Sequence, residues 1–192
     1  VYFDFSYELG SFNTHQVSTV FKRTNHKIGL QFGIGGAFSF SKNNYKMTLA
    51  NLDNRIVERD HDKFNKVMAG MSVKATKWWF DKVELEPSFI DTYRQIQGIT
   101  SDIRAAVVKS RVFSVTNNLK KHDFLMAGLD LDMSTSASYA IYHLVDTAKT
   151  WYDWEGNAYP TTSKYGGELN KYASSSDDKK MVITNKFNLM YL

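Results

Sequence analysis

Residues able to do chemistry are few and scattered in this chain. Asp60-His61-Asp62 is the tightest grouping of histidine with carboxylates. Adjacent residues on a strand point to opposite faces, and on a flexible loop they form at best a poor, solvated metal site. The reading is a solvated loop, with a metal or catalytic role as the alternative. Glu84 with Glu86, and Asp130 with Asp132, each share one strand face, with about 6.5 to 7 Å between alternate residues. That spacing suits acid–base chemistry, but without a recognisable pocket the reading is a charged lumen or solvent face. Lys74, Arg94, Lys109 and Arg111 supply opposite charges across such a lumen, where unpaired charge is costly.

The remaining candidates read as structural. His143, between Tyr142 and Leu144, lines a wall, and His15, His26 and His122 suit turns at strand ends. Gly33-Ile34-Gly35-Gly36 lies inside an alternating strand, where glycines serve close packing or curvature. No phosphate-binding loop, nucleophile elbow or His-Glu-x-x-His helix occurs. The chain has no cysteine, which excludes disulfides, a thiolate nucleophile and cysteine-based zinc sites. The expectation is therefore a protein without catalytic residues, cofactor or metal.

The elements that carry these residues are strands. The 192 residues suit a single domain, and aromatic residues at 15% favour β structure. No apolar run approaches the roughly 18 to 20 residues of a membrane-spanning helix. The net charge of +4 comes from interspersed residues and is too weak a bias to imply nucleic acid. The start Val1-Tyr2-Phe3-Asp4-Phe5 enters strand alternation directly, as expected of a processed or excised piece.

The clearest pattern lies at 27–41. Ile28, Leu30, Phe32, Ile34, Phe38 and Phe40 fall on one face, and Gly29, Gln31, Gly33, Gly35, Ala37, Ser39 and Ser41 on the other. One face is bulky and apolar, the other small and polar. Strands of soluble sandwiches usually run about 5 to 6 residues with a charged outer face, whereas about 9 to 11 tilted residues cross a bilayer. Similar alternation recurs at 1–10, 64–77, 83–89, 122–134 and 181–192, with weaker candidates at 16–23, 45–52, 104–116 and 138–145, giving roughly ten strands. The stretch 102–113 also fits an amphipathic helix, but its β-branched Val107, Val108 and Val112 favour a strand. Lys42-Asn43-Asn44 and Asn117-Asn118-Leu119 read as turns, and 147–180 as a long loop.

Ala69-Gly70-Met71-Ser72-Val73, Trp78-Trp79-Phe80 and Val83-Glu84-Leu85-Glu86-Pro87-Ser88-Phe89 follow one another along the chain. Together they resemble a hairpin of the C-terminal translocator barrels of bacterial autotransporters, in which a glycine-started strand, an aromatic turn and a Leu-Glu-Pro strand recur. With the terminal alternating strand, the resemblance covers about a third of the chain. The final residue, Leu192, departs from the terminal aromatic of that class, Tyr191 lying one position early, and the stretch after Pro87 is short for a twelve-stranded translocator. The resemblance implies an antiparallel up-and-down transmembrane β-barrel of about 10–12 strands, complete or incomplete in this chain, in a Gram-negative outer membrane. It would secrete or anchor a passenger segment.

On this reading Ile28, Leu30, Phe32, Ile34, Phe38 and Phe40 face lipid, and Trp78, Trp79, Phe80, Trp151 and Trp154 form an aromatic girdle. The partners are membrane lipid or lipopolysaccharide, a passenger, or a partner chain that completes the barrel. The ten-strand count places the loop at 53–63 on the periplasmic side, where turns are short, so at least one strand assignment must fail. A porin or adhesion barrel would show the same periodicity. The alternatives are a soluble all-β module, such as a carbohydrate-binding sandwich or a viral or phage structural protein, and an envelope hydrolase that uses Asp60, His61 or the paired acids. A soluble fold must cover the large apolar face of 27–41 with a second sheet, whereas a barrel leaves it to lipid.

Overall fold

A computed structural model describes residues 1–50, 52–161, 166–169 and 174–191. It is all-β. The strands are β1 (Tyr2–Gly10), β2 (Thr14–Asn25), β3 (Leu30–Ser41), β4 (Tyr45–Leu49), β5 (Arg55–Arg59), β6 (Phe64–Ala75), β7 (Lys82–Gln95), β8 (Val107–Lys121), β9 (Leu129–Asp146), β10 (Thr150–Tyr152), β11 (Ala158–Pro160) and β12 (Ser174–Tyr191). Eight of them form one antiparallel meander in the order β1-β2-β3-β6-β7-β8-β9-β12. The sheet is not closed: β1 and β12 are its edges. The two small hairpins, β4-β5 and β10-β11, form separate two-stranded sheets within long connections.

The pairing register is constant along every interface of the meander, so no bulge moves a side chain from one face to the other. The ladder between β6 and β7 skips Met71 and Ser72 and resumes in the same register at Val73↔Leu85. Those residues lie across from Pro87 and Glu86. Proline has no N–H to donate, so the Leu-Glu-Pro strand remains a central strand with a local gap on its β6 side.

Connections differ at the two ends. The connections at 26–29, 76–81 and 122–128 lie at one end. The opposite end carries the β1–β2 turn, the segments 42–63 and 96–106, and the chain between β9 and β12. This removes the conflict in the ten-strand count. The candidate at 45–52 is one arm of a loop hairpin, and 122–134 and 138–145 contribute to a single strand, β9. With eight wall strands, all the long connections share one end.

Other expectations are corrected as well. Ile28 lies in the β2–β3 turn, 52% exposed, and not on the strand, while Leu30, Phe32, Ile34, Phe38 and Phe40 do share a face of β3. Leu125 and Ala127 lie in the β8–β9 turn. Asn117 and Asn118 pair inside β8, opposite Leu85 and Glu84, where a turn is expected from their type. The segment 102–106 is a loop, and a strand begins at Val107, so the helical alternative does not form.

In the β2–β3 turn, Gly29 has φ 65°, and its carbonyl accepts the Thr76 N–H at 2.9 Å. A Cβ there would lie 2.6 Å from Lys77 Cγ and 2.9 Å from Thr76 Oγ1. At Gly70 a Cβ would meet nothing closer than 3.5 Å. Gly29→Ala should therefore destabilise the fold by about 1–2 kcal/mol, and Gly70→Ala by less than ~1 kcal/mol. Denaturant unfolding followed by tryptophan fluorescence would separate the two.

Candidate functional site: two sheet faces and a loop cap

Constant register divides the meander into two chemically different faces. On one, β3 places Leu30, Phe32, Ile34, Phe38 and Phe40, β6 places Val67, Met71 and Val73, and β8 places Phe113 and Val115. Many of these large side chains are uncovered: Ile34 is 51% and Phe113 49% exposed. The other face is mostly small or polar, apart from one apolar row, Ala37, Met68, Ile90, Val112 and Ala140. One row of directly paired residues runs Gly35, Gly70, Ser88, Ser114, Ser138 from β3 to β9. Ser88 and Ser114 are hydrogen-bonded at 2.7 Å, as are Ser6 and Ser18. A neighbouring row runs Gln31, Lys74, Glu84, Asn118, Ser134, Lys186. Charges on this face are balanced locally, with Lys82 Nζ 2.6 Å from Glu84 and Lys120 Nζ 3.0 Å from Asp132.

The apolar zone of the first face does not follow the rows of paired residues. The row Tyr7, Val17, Phe38, Val67, Asp91, Arg111, Ile141, Lys179 is apolar from β1 to β6 and charged on β7, β8 and β12. The row Asn25, Leu30, Ala75, Val83, Leu119, Met133, Phe187 is polar on β2 and apolar from β3 to β12. The apolar band therefore drifts toward the short-turn end as the sheet is crossed from β2 to β12. An environment with flat boundaries would impose this drift on strands tilted against it.

Among the described residues no second layer covers either face. Among the described residues the buried apolar side chains are Leu49, Ala75, Ile103, Ala106, Leu131 and Ala140, too few for a soluble core. The accessible surface is 12657 Å², against about 9,300 Å² for a compact monomer of 22.0 kDa. The tightest packing is in a cap at the long-loop end. There Ile103 is 2% and Asp146 1% exposed. Asp146 accepts the backbone N–H groups of Glu168 and Leu169 at 2.7 and 2.9 Å, and the Glu168 carboxylate accepts those of Arg104 and Ala105 at 2.7 and 3.1 Å. Arg104 binds Asp102 at 2.7 Å and lies 3.7 Å above the Tyr152 ring, and the Asp102 hydrogen bond holds its guanidinium above its ordinary pKa.

No family model, curated protein or solved structure matches this chain.

Each candidate site residue can now be placed. Trp78, Trp79 and Phe80 lie in the β6–β7 turn, where Trp79 packs edge-on to Phe80 at 4.6 Å and to Phe124 of the next turn at 6.0 Å. Trp151 stacks on Tyr159 at 4.5 Å across the β10–β11 hairpin, and Trp154 Nε1 donates to the Ile99 carbonyl at 2.9 Å. These aromatic groups thus occupy opposite ends of the sheet. His61 Nε2 lies 3.1 Å from the Ala106 carbonyl and its backbone N–H donates to Gln97 Oε1, while Asp62 binds Arg59 at 3.4 Å. Asp60-His61-Asp62 therefore braces loops, and among the described residues no three His, Cys, Asp or Glu side chains gather to hold a metal ion.

The loop cap escaped sequence reasoning, because Asp146 and Glu168 stand in no motif. In the β10–β11 turn, donation by the Asn157 side chain and backbone, the Tyr159 hydroxyl and the Glu155 N–H lowers the Asp153 pKa to about 2. At the other end His122 Nδ1 is 2.7 Å from Asp130, and that hydrogen bond raises the His122 pKa.

Two outcomes are expected. Asp146→Asn removes one of two acceptor oxygens and should weaken the cap by about 1–3 kcal/mol, seen as faster hydrogen exchange at Glu168, Leu169, Arg104 and Ala105 with the sheet amides unchanged. For His122, the interaction with Asp130 is fully present below the ordinary imidazole pKa and is lost as pH rises through the raised one. NMR titration should place His122 above the ordinary value, and Asp130→Asn should return it there.

Proposed function

We propose that the chain is a wall-forming β-barrel domain of a Gram-negative outer membrane, whose work is to anchor the structured loop cap, or a passenger attached to it, at the cell surface. The observation that carries this reading is the oblique, uncovered apolar band on a bulge-free meander whose other face is mostly small or polar. A soluble sheet would need a second layer over that band, since soluble monomers rarely leave an apolar patch larger than a few hundred Å² open. A bilayer supplies the layer.

Leu30, Phe32, Ile34, Phe38 and Phe40 then contact acyl chains, as do Met71, Val115 and Phe187, while Gly35, Gly70, Ser88 and Ser114 line the interior. Wall strands of 9 to 18 residues are long enough, since about 9–11 tilted residues span. The short turns belong on the periplasmic side and the long connections outside. Trp78, Trp79 and Phe80 suit the periplasmic interface, and Trp151 and Trp154 belong to the outer cap. The lipid partner is membrane lipid or lipopolysaccharide. The Leu-Glu-Pro hairpin supports an autotransporter-type role, in which the barrel holds or secretes a passenger.

The test is folding with and without detergent. The chain should gain β circular dichroism and heat-modifiable gel mobility only in detergent or lipid. Val115→Lys, near the middle of the band, should cost about 2–4 kcal/mol in lipid, and Thr116→Lys, on the opposite face, less than ~1 kcal/mol. A monodisperse, folded chain in plain buffer would overturn the membrane reading.

A further inference from the structure

We infer that the wall closes on itself by pairing β1 with β12 in a staggered register that sets Glu8 opposite Lys186. This rests on the membrane reading above, because it is hydrocarbon that makes an open strand edge untenable: its N–H and C=O groups have no water to bind. The two edges are suited to each other. β1 runs toward the long-loop end and β12 away from it, so their pairing is antiparallel. Both alternate in the same sense: Phe3, Phe5, Tyr7 and Leu9 share the apolar face with Met181, Ile183, Phe187, Leu189 and Tyr191.

The register follows from tilt, band and charge. The row of paired residues that starts at Glu8 passes through Gln16, Ser39, Lys66, Thr92, Ser110 and Tyr142 and reaches Asp178. Level closure would therefore face Glu8 with Asp178, like charge against like, and would leave the strands untilted. Eight strands tilted by about 35–45° need a stagger of roughly 8–10 residues. The drift of the apolar band fixes its direction, toward the short-turn end of β12. An even stagger keeps both faces intact.

A shift of ~8 residues brings Lys186 opposite Glu8 and sets Phe3, Phe5 and Tyr7 opposite Tyr191, Leu189 and Phe187, whereas a shift of ~10 would offer Glu8 only Asn188. The part of β12 left beyond Gly10 contains Asp177, Asp178, Lys179 and Lys180, charged residues that keep a solvated edge from pairing elsewhere.

Because the native chain has no cysteine, the register can be read by disulfide formation in the 192-residue chain refolded in detergent. Directly opposed residues satisfy disulfide geometry, and residues several positions out of register do not. Ser6→Cys with Asn188→Cys should form an intramolecular bond in at least ~10-fold greater yield than the level pair, Ser6→Cys with Lys180→Cys. Adding Glu8→Lys to the Ser6/Asn188 pair should lower its yield, and adding Lys186→Glu as well should restore it. A bond at Ser6/Asn188 that links two chains would overturn the inference in favour of a second copy. No bond in a chain that still folds only in detergent would overturn it in favour of intervening strands and leave the membrane reading standing. A chain that never folds in detergent would remove both.

Discussion

Every feature of this molecule depends on the unbroken two-residue period of its backbone ladder. A strand offers alternate side chains to opposite faces, so one inserted residue in one strand would invert the chemistry of all that follows it. Here the register is constant from β1 through β12. The face that carries Phe32, Ile34, Phe38, Met71, Phe113 and Val115 therefore stays the same face across the sheet, and the Gly and Ser row from Gly35 to Ser138 stays on the other. Even Pro87, which removes a ladder hydrogen bond, leaves the register intact on either side of its gap.

From that sorting the two faces acquire different requirements. The large residues need an apolar surrounding, and the structure provides none within the chain. The small residues permit curvature toward their own side: where Gly35, Gly70, Ser88 and Ser114 stand abreast, neighbouring backbones can roll inward without side-chain collision. Packing in the ordinary sense is confined to the loop cap. There the buried carboxylates Asp146 and Glu168 each accept two backbone N–H groups, the arrangement that makes burial of a charged group tolerable.

Much of the wall was legible in the sequence, because period-two alternation is a local signal. The face of Leu30, Phe32, Ile34, Phe38 and Phe40, the hairpin around Trp78-Trp79-Phe80 and residues 181–191 of the last strand follow from it directly, whereas 174–180, expected as the end of the long loop at 147–180, belong to β12. What escaped was decided by partners. Asn117-Asn118 has turn composition, yet Asn118 accepts from the Ser134 hydroxyl at 2.8 Å and pairs with Glu84, so the ladder overrides the local preference. Ile28, Leu125 and Ala127 continue an apolar alternation into turns, where periodicity carries no information about where the chain reverses. The β4-β5 arms imitate wall strands because alternation alone does not say which sheet a strand joins. The cap was invisible, since Asp146, Arg104 and Glu168 meet only through tertiary structure.

The closing geometry bears on the kind of work such a wall can do. Closed as proposed, an eight-stranded ring would be just wide enough for inward side chains to fill it, and the rows of the polar face carry Lys74, Glu84, Lys120, Asp132 and Lys186 across the short-turn half. A ring of that width leaves little room for a chain or solute to pass. The cap sits at the long-loop end, where Asp146, the last residue of β9, is its first point of attachment. Closed in that way, the wall would suit holding a surface structure in place better than conducting.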